Sequence, residues 1–183
     1  MQTPPHLPEN IVLIGFMGCG KSTVGRELHQ RLGYPLVDMD HLIEQRAGMA
    51  ITEIFAAQGE AAFRDMESAL LRELDDPAAP RRIIATGGGV VEREENRALL
   101  RKLGYVVWLH APASVILERT RKTRNRPLLN TENPAARIEA LMEKRLPFYQ
   151  ETAHLKLDTS GLCSTELAVG IMECSRYFFN NRT

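Results

Sequence analysis

Five short, mostly apolar runs punctuate this chain, and the stretches between them carry apolar residues at helical spacing. The runs at 11–14, 34–37, 83–85, 105–109 and 155–157 predict strands. The intervals at 22–32, 41–47, 51–58, 60–74, 96–103, 114–121, 135–149 and 165–178 predict helices; in 60–74, for example, Phe63, Met66, Leu70 and Leu74 share a face. Gly33, Gly48, Gly59 and Gly104 each stand directly after a helical stretch, where a helix ends most readily. Residues 75–80, with two aspartates and two prolines, predict a turn. Continuously apolar strands such as 11–14, 83–85 and 105–109 are buried on both faces, so this order predicts an α/β fold with a mostly parallel sheet between helical layers.

Composition narrows the function classes. The 183 residues suffice for one domain with a core on each side of the sheet. Lys and Arg number 23 and Asp and Glu number 23, so the basic excess of a polyanion binder is missing and no nucleic-acid partner is expected. No stretch reaches the length of a membrane span, so no membrane partner is expected either. Cys19, Cys163 and Cys174 form no CxxC pair and no disulfide framework, which suits a reducing compartment. Cys163 and Cys174 read as packing residues, and Cys19 as a small outward side chain. The expectation is a soluble, cytoplasmic protein with an irregular segment at 1–10, one domain at 11–179 and a flexible polar tail at 180–183.

The first strand runs straight into Gly15-Phe-Met-Gly-Cys-Gly20-Lys21-Ser22, a G-x-x-x-x-G-K-[ST] loop that opens a helix. Glycines let such a loop wrap tightly and turn its amides toward phosphate oxygens, and the helix N-terminus adds its dipole. Gly18, Cys19, Gly20, Lys21, Ser22 and Thr23 are therefore expected to hold a nucleoside triphosphate. Lys21 would reach the β- and γ-phosphates and Ser22 would offer a hydroxyl to Mg²⁺.

A second substrate is expected at the same C-terminal edge of the strands. Asp38 and Asp40 follow the second strand with one residue between them; one can hold the hydration shell of Mg²⁺ and the other can orient a hydroxyl. Alternatively, Asp40 N-caps a helix that starts at His41. Gly87, Gly88 and Gly89 mark a close backbone approach whose amides can meet the acceptor or the transferred group. Arg64 and Glu67, three apart on one helix, can share a face beside an apolar wall of Phe55 and Phe63, or form an ordinary surface ion pair. Arg145 is the comparable cation from the other side of the site. Residues 119–133 hold five basic residues, including Arg119 and Arg126, against one acidic residue. Such a run is commonly a solvated surface. Above a triphosphate site it reads as a mobile lid over about 120–132, anchored by Pro127, Leu128 and Leu129.

In order and spacing, GFMGCGKSTVGREL, LVDMD, IFAAQGEAAFRDME, ATGGG, RTRKTRNRPLL and LMEKRLPFYQ resemble shikimate kinase over residues 11–159. The resemblance implies a three-layer αβα P-loop kinase of the nucleoside monophosphate kinase type, with a five-stranded parallel sheet, a substrate-binding region and a mobile lid. It implies transfer of the γ-phosphoryl of ATP to the 3-hydroxyl of shikimate, on the route to chorismate and the aromatic amino acids. By this resemblance Asp40 meets the shikimate hydroxyls, Asp38 helps hold Mg²⁺ through water, and Arg64 and Arg145 bind the carboxylate. Glu67 supports Arg64, Gly87 to Gly89 contact the substrate, and Phe55 and Phe63 line its pocket. Arg119 lies against adenine and Arg126 reaches the phosphates, so Asp40, Lys21 and Arg126 form the catalytic set. At 159–164 the chain has TSGLCS, where the family often places arginine and proline along adenine.

Two other readings remain at this stage. One is a small-molecule kinase acting on gluconate or a nucleoside monophosphate. The other is a nucleotide-controlled switch, although no N-K-x-D motif is present and the one D-x-x-G, at 158–161, falls late in the chain. The aromatic run at 177–179 is expected to pack on its own sheet, in line with a monomer.

Overall fold

The computed structural model describes residues 10–121 and 127–181. Five parallel strands stand in the order β2-β3-β1-β4-β5: β1 Asn10–Ile14, β2 Leu36–Asp38, β3 Ile83–Ala85, β4 Gly104–His110 and β5 Leu155–Asp158. Ile11 pairs with Ile83 on one side and Tyr105 on the other, which places β1 in the middle. This is the P-loop-containing α/β architecture expected from the sequence.

Because side chains alternate along a strand, each strand feeds both helical layers. Ile11 and Leu13 pack with Val24 and Leu28 of α1 (Lys21–Leu32), Ile116 of α5 (Ala113–Thr120) and Leu167 and Ile171 of α7 (Ser164–Asn180). Val12 and Ile14 point the other way, toward Met39 and Ile43 of α2 (Met39–Ala47), Phe63 and Leu71 of α3 (Ile51–Leu74), and Leu100 of α4 (Glu94–Leu103). Tyr149 of α6 (Pro134–Thr152) completes that second layer against Trp108.

Several boundaries differ from expectation for identifiable reasons. The stretches 51–58 and 60–74 run nearly continuously as α3, with Gly59 as the break: its φ of 83° and ψ of 169° are non-helical and suit a residue without Cβ. α2 starts at Met39 rather than His41 because Asp38 caps it. α6 continues through Pro147 to Thr152. A 3-10 turn at Val90–Glu92 was not foreseen. Phe178 and Phe179 pack on Tyr105, with ring centroids 4.6 and 6.2 Å away, whereas Tyr177 is exposed. Cys163 and Cys174 are exposed rather than packed, and Cys163 N-caps α7. Among the described residues no helix is long and apolar enough to cross a membrane.

Candidate active site

All five strands point their C-terminal ends at one edge, and the loops leaving that edge build two adjoining cavities. The larger, about 440 Å³, surrounds the loop after β1. Gly18 and Gly20 adopt φ of 79° and 102°, where a side chain would strain the backbone. Gly20 is also the N-cap of α1 and offers no side-chain cap, so the amides of the first turn are left for an anion. Lys21 Nζ donates to the carbonyls of Gly15 (2.7 Å) and Phe16 (3.0 Å), parked on the loop it would leave to meet a phosphate. Cys19 is buried, with its side chain turned inward, contrary to the outward placement expected. Thr23 stands exposed beside Ser22 at the rim of this cleft.

Ser22 Oγ donates to Asp38 Oδ2 at 2.6 Å, while Asp38 Oδ1 accepts from the His41 amide at 3.3 Å. Asp38 is thus the cap that the sequence offered to Asp40, and one carboxylate both ends β2 and faces the phosphate loop. A hydroxyl and a carboxylate joined at the mouth of this loop are a hard-oxygen donor set suited to Mg²⁺. Asp40, in the first turn of α2, lines this cleft and the second cavity alike. At the far rim Arg119 donates from Nη2 to Thr159 O (2.9 Å) and from Nη1 to Thr159 Oγ1 (3.1 Å), with Leu162 alongside.

The second cavity, about 70 Å³, brings together Asp40, Phe55, Phe63, Arg64, Glu67, Gly87, Gly88, Gly89 and Arg145, with Pro127 and Leu128 closing one side. Phe55 and Phe63 stand 5.1 Å apart as its apolar wall. Arg64 donates to Glu67 Oε2 at 2.6 Å and to Glu60 Oε1 at 2.8 Å, so it is a buried, tethered cation rather than a surface pair. Glu67 is fully buried, and its Oε1 accepts no hydrogen bond among the described residues. Burial raises its carboxyl to about 7 and nearby Asp40 adds to the rise, against the pull of Arg64. Arg145, also fully buried, stacks over Phe16 at 5.6 Å.

All three glycines line this cavity, and each marks a close approach of a neighbouring group. A Cβ on Gly87 would fall on Glu67 Oε1 and lie 2.9 Å from Asp40 Oδ1; one on Gly89 would sit 2.6 Å from Arg64 Nη1. Gly87 and Gly89 thus leave room for charged side chains, whereas Gly88 lets the phosphate-loop backbone pass, since a Cβ there would lie 3.1 Å from Met17 N. Gly87→Ala is therefore expected to cost about 1–3 kcal/mol of stability by overpacking and to depress acceptor affinity as Glu67 and Asp40 shift. Calorimetric melting together with an acceptor titration checks this; an alanine variant that binds and melts like the parent contradicts it.

Sequence reasoning missed Glu92, which pairs with Arg145 and Lys144, and Tyr149, whose hydroxyl donates to Gly88 O at 2.5 Å. Glu92 sits in the charged run Glu92-Arg93-Glu94-Glu95, which looks like solvated surface, and its partner Arg145 is 53 residues away. Arg126 lies outside the described residues, as do Lys122 and Arg124 of the basic stretch. Of the expected lid, Thr120 closes α5 and Pro127–Leu129 forms a 3-10 turn.

A triphosphate-type loop and a cation-lined pocket meeting at one aspartate define a P-loop phosphotransferase. A shikimate kinase family model matches residues 17–176. The chain is 46% identical over 175 residues to the shikimate kinase of Thermodesulfovibrio yellowstonii, covering 96% of this chain and 99% of that one. With the Thioalkalivibrio sulfidiphilus shikimate kinase it shares 48% identity over 174 residues, covering 94% and 89%. The structure of Acinetobacter baumannii shikimate kinase in complex with shikimate superposes with a TM-score of 0.88 at 39% identity, covering 98% of this chain and 97% of that one. The chain belongs to the shikimate kinase family, whose phosphate donor is ATP.

Proposed function

We propose that this protein transfers the γ-phosphoryl of ATP to the 3-hydroxyl of shikimate, giving shikimate 3-phosphate and ADP for the route to chorismate and the aromatic amino acids. The observation that carries the reading is the position of Asp40 on the lining of both cavities, where an acceptor hydroxyl and a terminal phosphate would meet. Asp40 orients the 3-hydroxyl and takes its proton as the phosphorus–oxygen bond forms. Lys21 leaves the Gly15 and Phe16 carbonyls for the phosphate oxygens, and the loop amides of Gly18 to Thr23 hold the rest of the triphosphate. Ser22 and Asp38 would hold Mg²⁺, which when bound offsets the negative charge of the phosphates. Arg119 and Leu162 border the cleft where the adenine would lie. Arg126 is assigned to the phosphates from the sequence resemblance alone.

Arg64 and Arg145 receive the acceptor carboxylate through planar, charge-assisted hydrogen bonds, with Glu67 bracing Arg64 and Phe55 and Phe63 covering the ring. Gly87 to Gly89 let the acceptor approach the β3 end closely. In line with the family resemblance, the protein is read as a cytoplasmic monomer, and its neutral net charge suits work without nucleic acid. Arg64→Ala is expected to weaken shikimate binding by roughly a hundredfold, about 3 kcal/mol for truncating one partner of a buried charge pair. Unaltered affinity by titration calorimetry would count against the carboxylate assignment. The reading as a whole is tested by coupled ADP release with shikimate, gluconate and AMP. Shikimate alone is expected to drive turnover; activity with gluconate or AMP and none with shikimate overturns it.

A further inference from the structure

We propose that Glu92 is a positioning residue for the acceptor: it holds Arg145 from behind so that the free edge of the guanidinium faces the carboxylate entering the pocket. The inference rests on the assignment of Arg64 and Arg145 to that carboxylate. Glu92 ends the 3-10 turn Val90–Glu92, which begins directly after Gly89, so the backbone that shapes the pocket also fixes this side chain. Arg145 Nε donates to Glu92 Oε1 at 2.9 Å, and Nη2 approaches the same oxygen at 2.7 Å off the hydrogen-bond line. Arg64 Nη2 stands 4.0 Å from that oxygen, so a single carboxylate oxygen lies between the two guanidinium groups.

Two features separate positioning from competition. Arg145 lines the pocket and Glu92 does not, so Glu92 holds the inner edge of the guanidinium and leaves the outer one open. Arg145 Nη1 makes no hydrogen bond among the described residues, and the Tyr149 hydroxyl lies beside the guanidinium. The pairing is also needed for the charge itself, because a buried guanidinium without a counter-ion is costly, and Glu92 is the carboxylate within ion-pair reach of Arg145 among the described residues. Burial pushes the Glu92 carboxyl up, but its hydrogen bond to Lys144 and the charge of Arg145 outweigh this and hold it below the ordinary value. Glu92 therefore stays ionised where the enzyme works. Lys144, largely exposed, donates to the other oxygen of Glu92 and leaves Oε1 to the two arginines.

The test compares Glu92→Gln, Glu92→Asp, Arg145→Ala and the Glu92→Gln/Arg145→Ala double variant by shikimate calorimetry and steady-state kinetics. Glu92→Gln is expected to raise the Kd and KM for shikimate about tenfold, the size of one misaligned charge-assisted hydrogen bond, with kcat and the KM for ATP within about twofold. Glu92→Asp, which keeps the charge but retracts it, is expected to fall between the parent and Glu92→Gln. In the Arg145→Ala background Glu92→Gln is expected to add nothing. Tighter shikimate binding by Glu92→Gln would mean that Glu92 competes for the acceptor's place, and unchanged binding would mean a purely structural role; either overturns the inference. Should Glu92→Gln fail to fold, Glu92→Asp carries the test, and parental shikimate affinity in it overturns the inference. Loss of affinity in Arg145→Ala with none in Glu92→Gln defeats this inference alone; unchanged affinity in Arg145→Ala defeats the carboxylate assignment beneath it.

Discussion

Asp40→Asn is expected to lower kcat about a thousandfold, within the usual range for removing a positioned general base, while the KM for ATP stays within about twofold. The asymmetry follows from where Asp40 sits. It borders the phosphate cleft, but the donors there are the loop amides, Lys21 and the Ser22–Asp38 pair, none of which the substitution removes. On the acceptor side it shares its surroundings with buried Glu67, so an asparagine keeps the shape and loses the carboxylate proposed to orient and deprotonate the hydroxyl. Steady-state kinetics with both substrates varied checks this. Near-parental kcat would remove Asp40 from the chemical step.

Lys21→Met is expected to abolish most turnover, by about a thousandfold or more, because the ammonium is worth most where charge gathers on the transferring group. Methionine keeps the apolar stem of lysine but donates nothing, so the fold should survive. The carbonyls of Gly15 and Phe16, which now accept from Nζ, would lose only a partner that the bound triphosphate is expected to take from them anyway. Single-turnover measurement at saturating ATP separates this loss from weaker nucleotide binding. A variant within tenfold of the parent would show that the loop amides suffice without Lys21.

What could be read from the sequence was mostly local. The phosphate loop declared itself because its glycines, lysine and serine are contiguous and follow an apolar strand, so no long-range contact was needed to interpret them. Arg64, Glu67, Phe55 and Phe63 were legible through helical spacing, which brings near neighbours to one face of α3. The choice between Asp38 and Asp40 as helix cap was not, because both are favoured caps and the sheet edge decides where α2 begins. Glycines 87 to 89 signalled close approach, but the approaching groups are Glu67, Asp40 and Arg64 at Gly87 and Gly89 and the phosphate-loop backbone at Gly88, and only the packed structure reveals them. Glu92 carried no local signal at all: its partner arrives from α6, and a glutamate among charges looks solvated until that helix docks. Cys19 was misjudged in direction because the wrap of the loop, not residue size, turns its side chain inward.

In the proposed reaction the phosphoryl group passes directly from one cavity to the other at Asp40, with no enzyme-bound phosphoryl intermediate. Turnover of ATP made chiral at the γ-phosphorus with oxygen isotopes tests this most directly, because a single in-line displacement inverts the phosphorus centre and two displacements restore it. Inversion is expected in the shikimate 3-phosphate formed. Retention of configuration would contradict it, since a nucleophile of the protein would then have to stand between the loop and the acceptor.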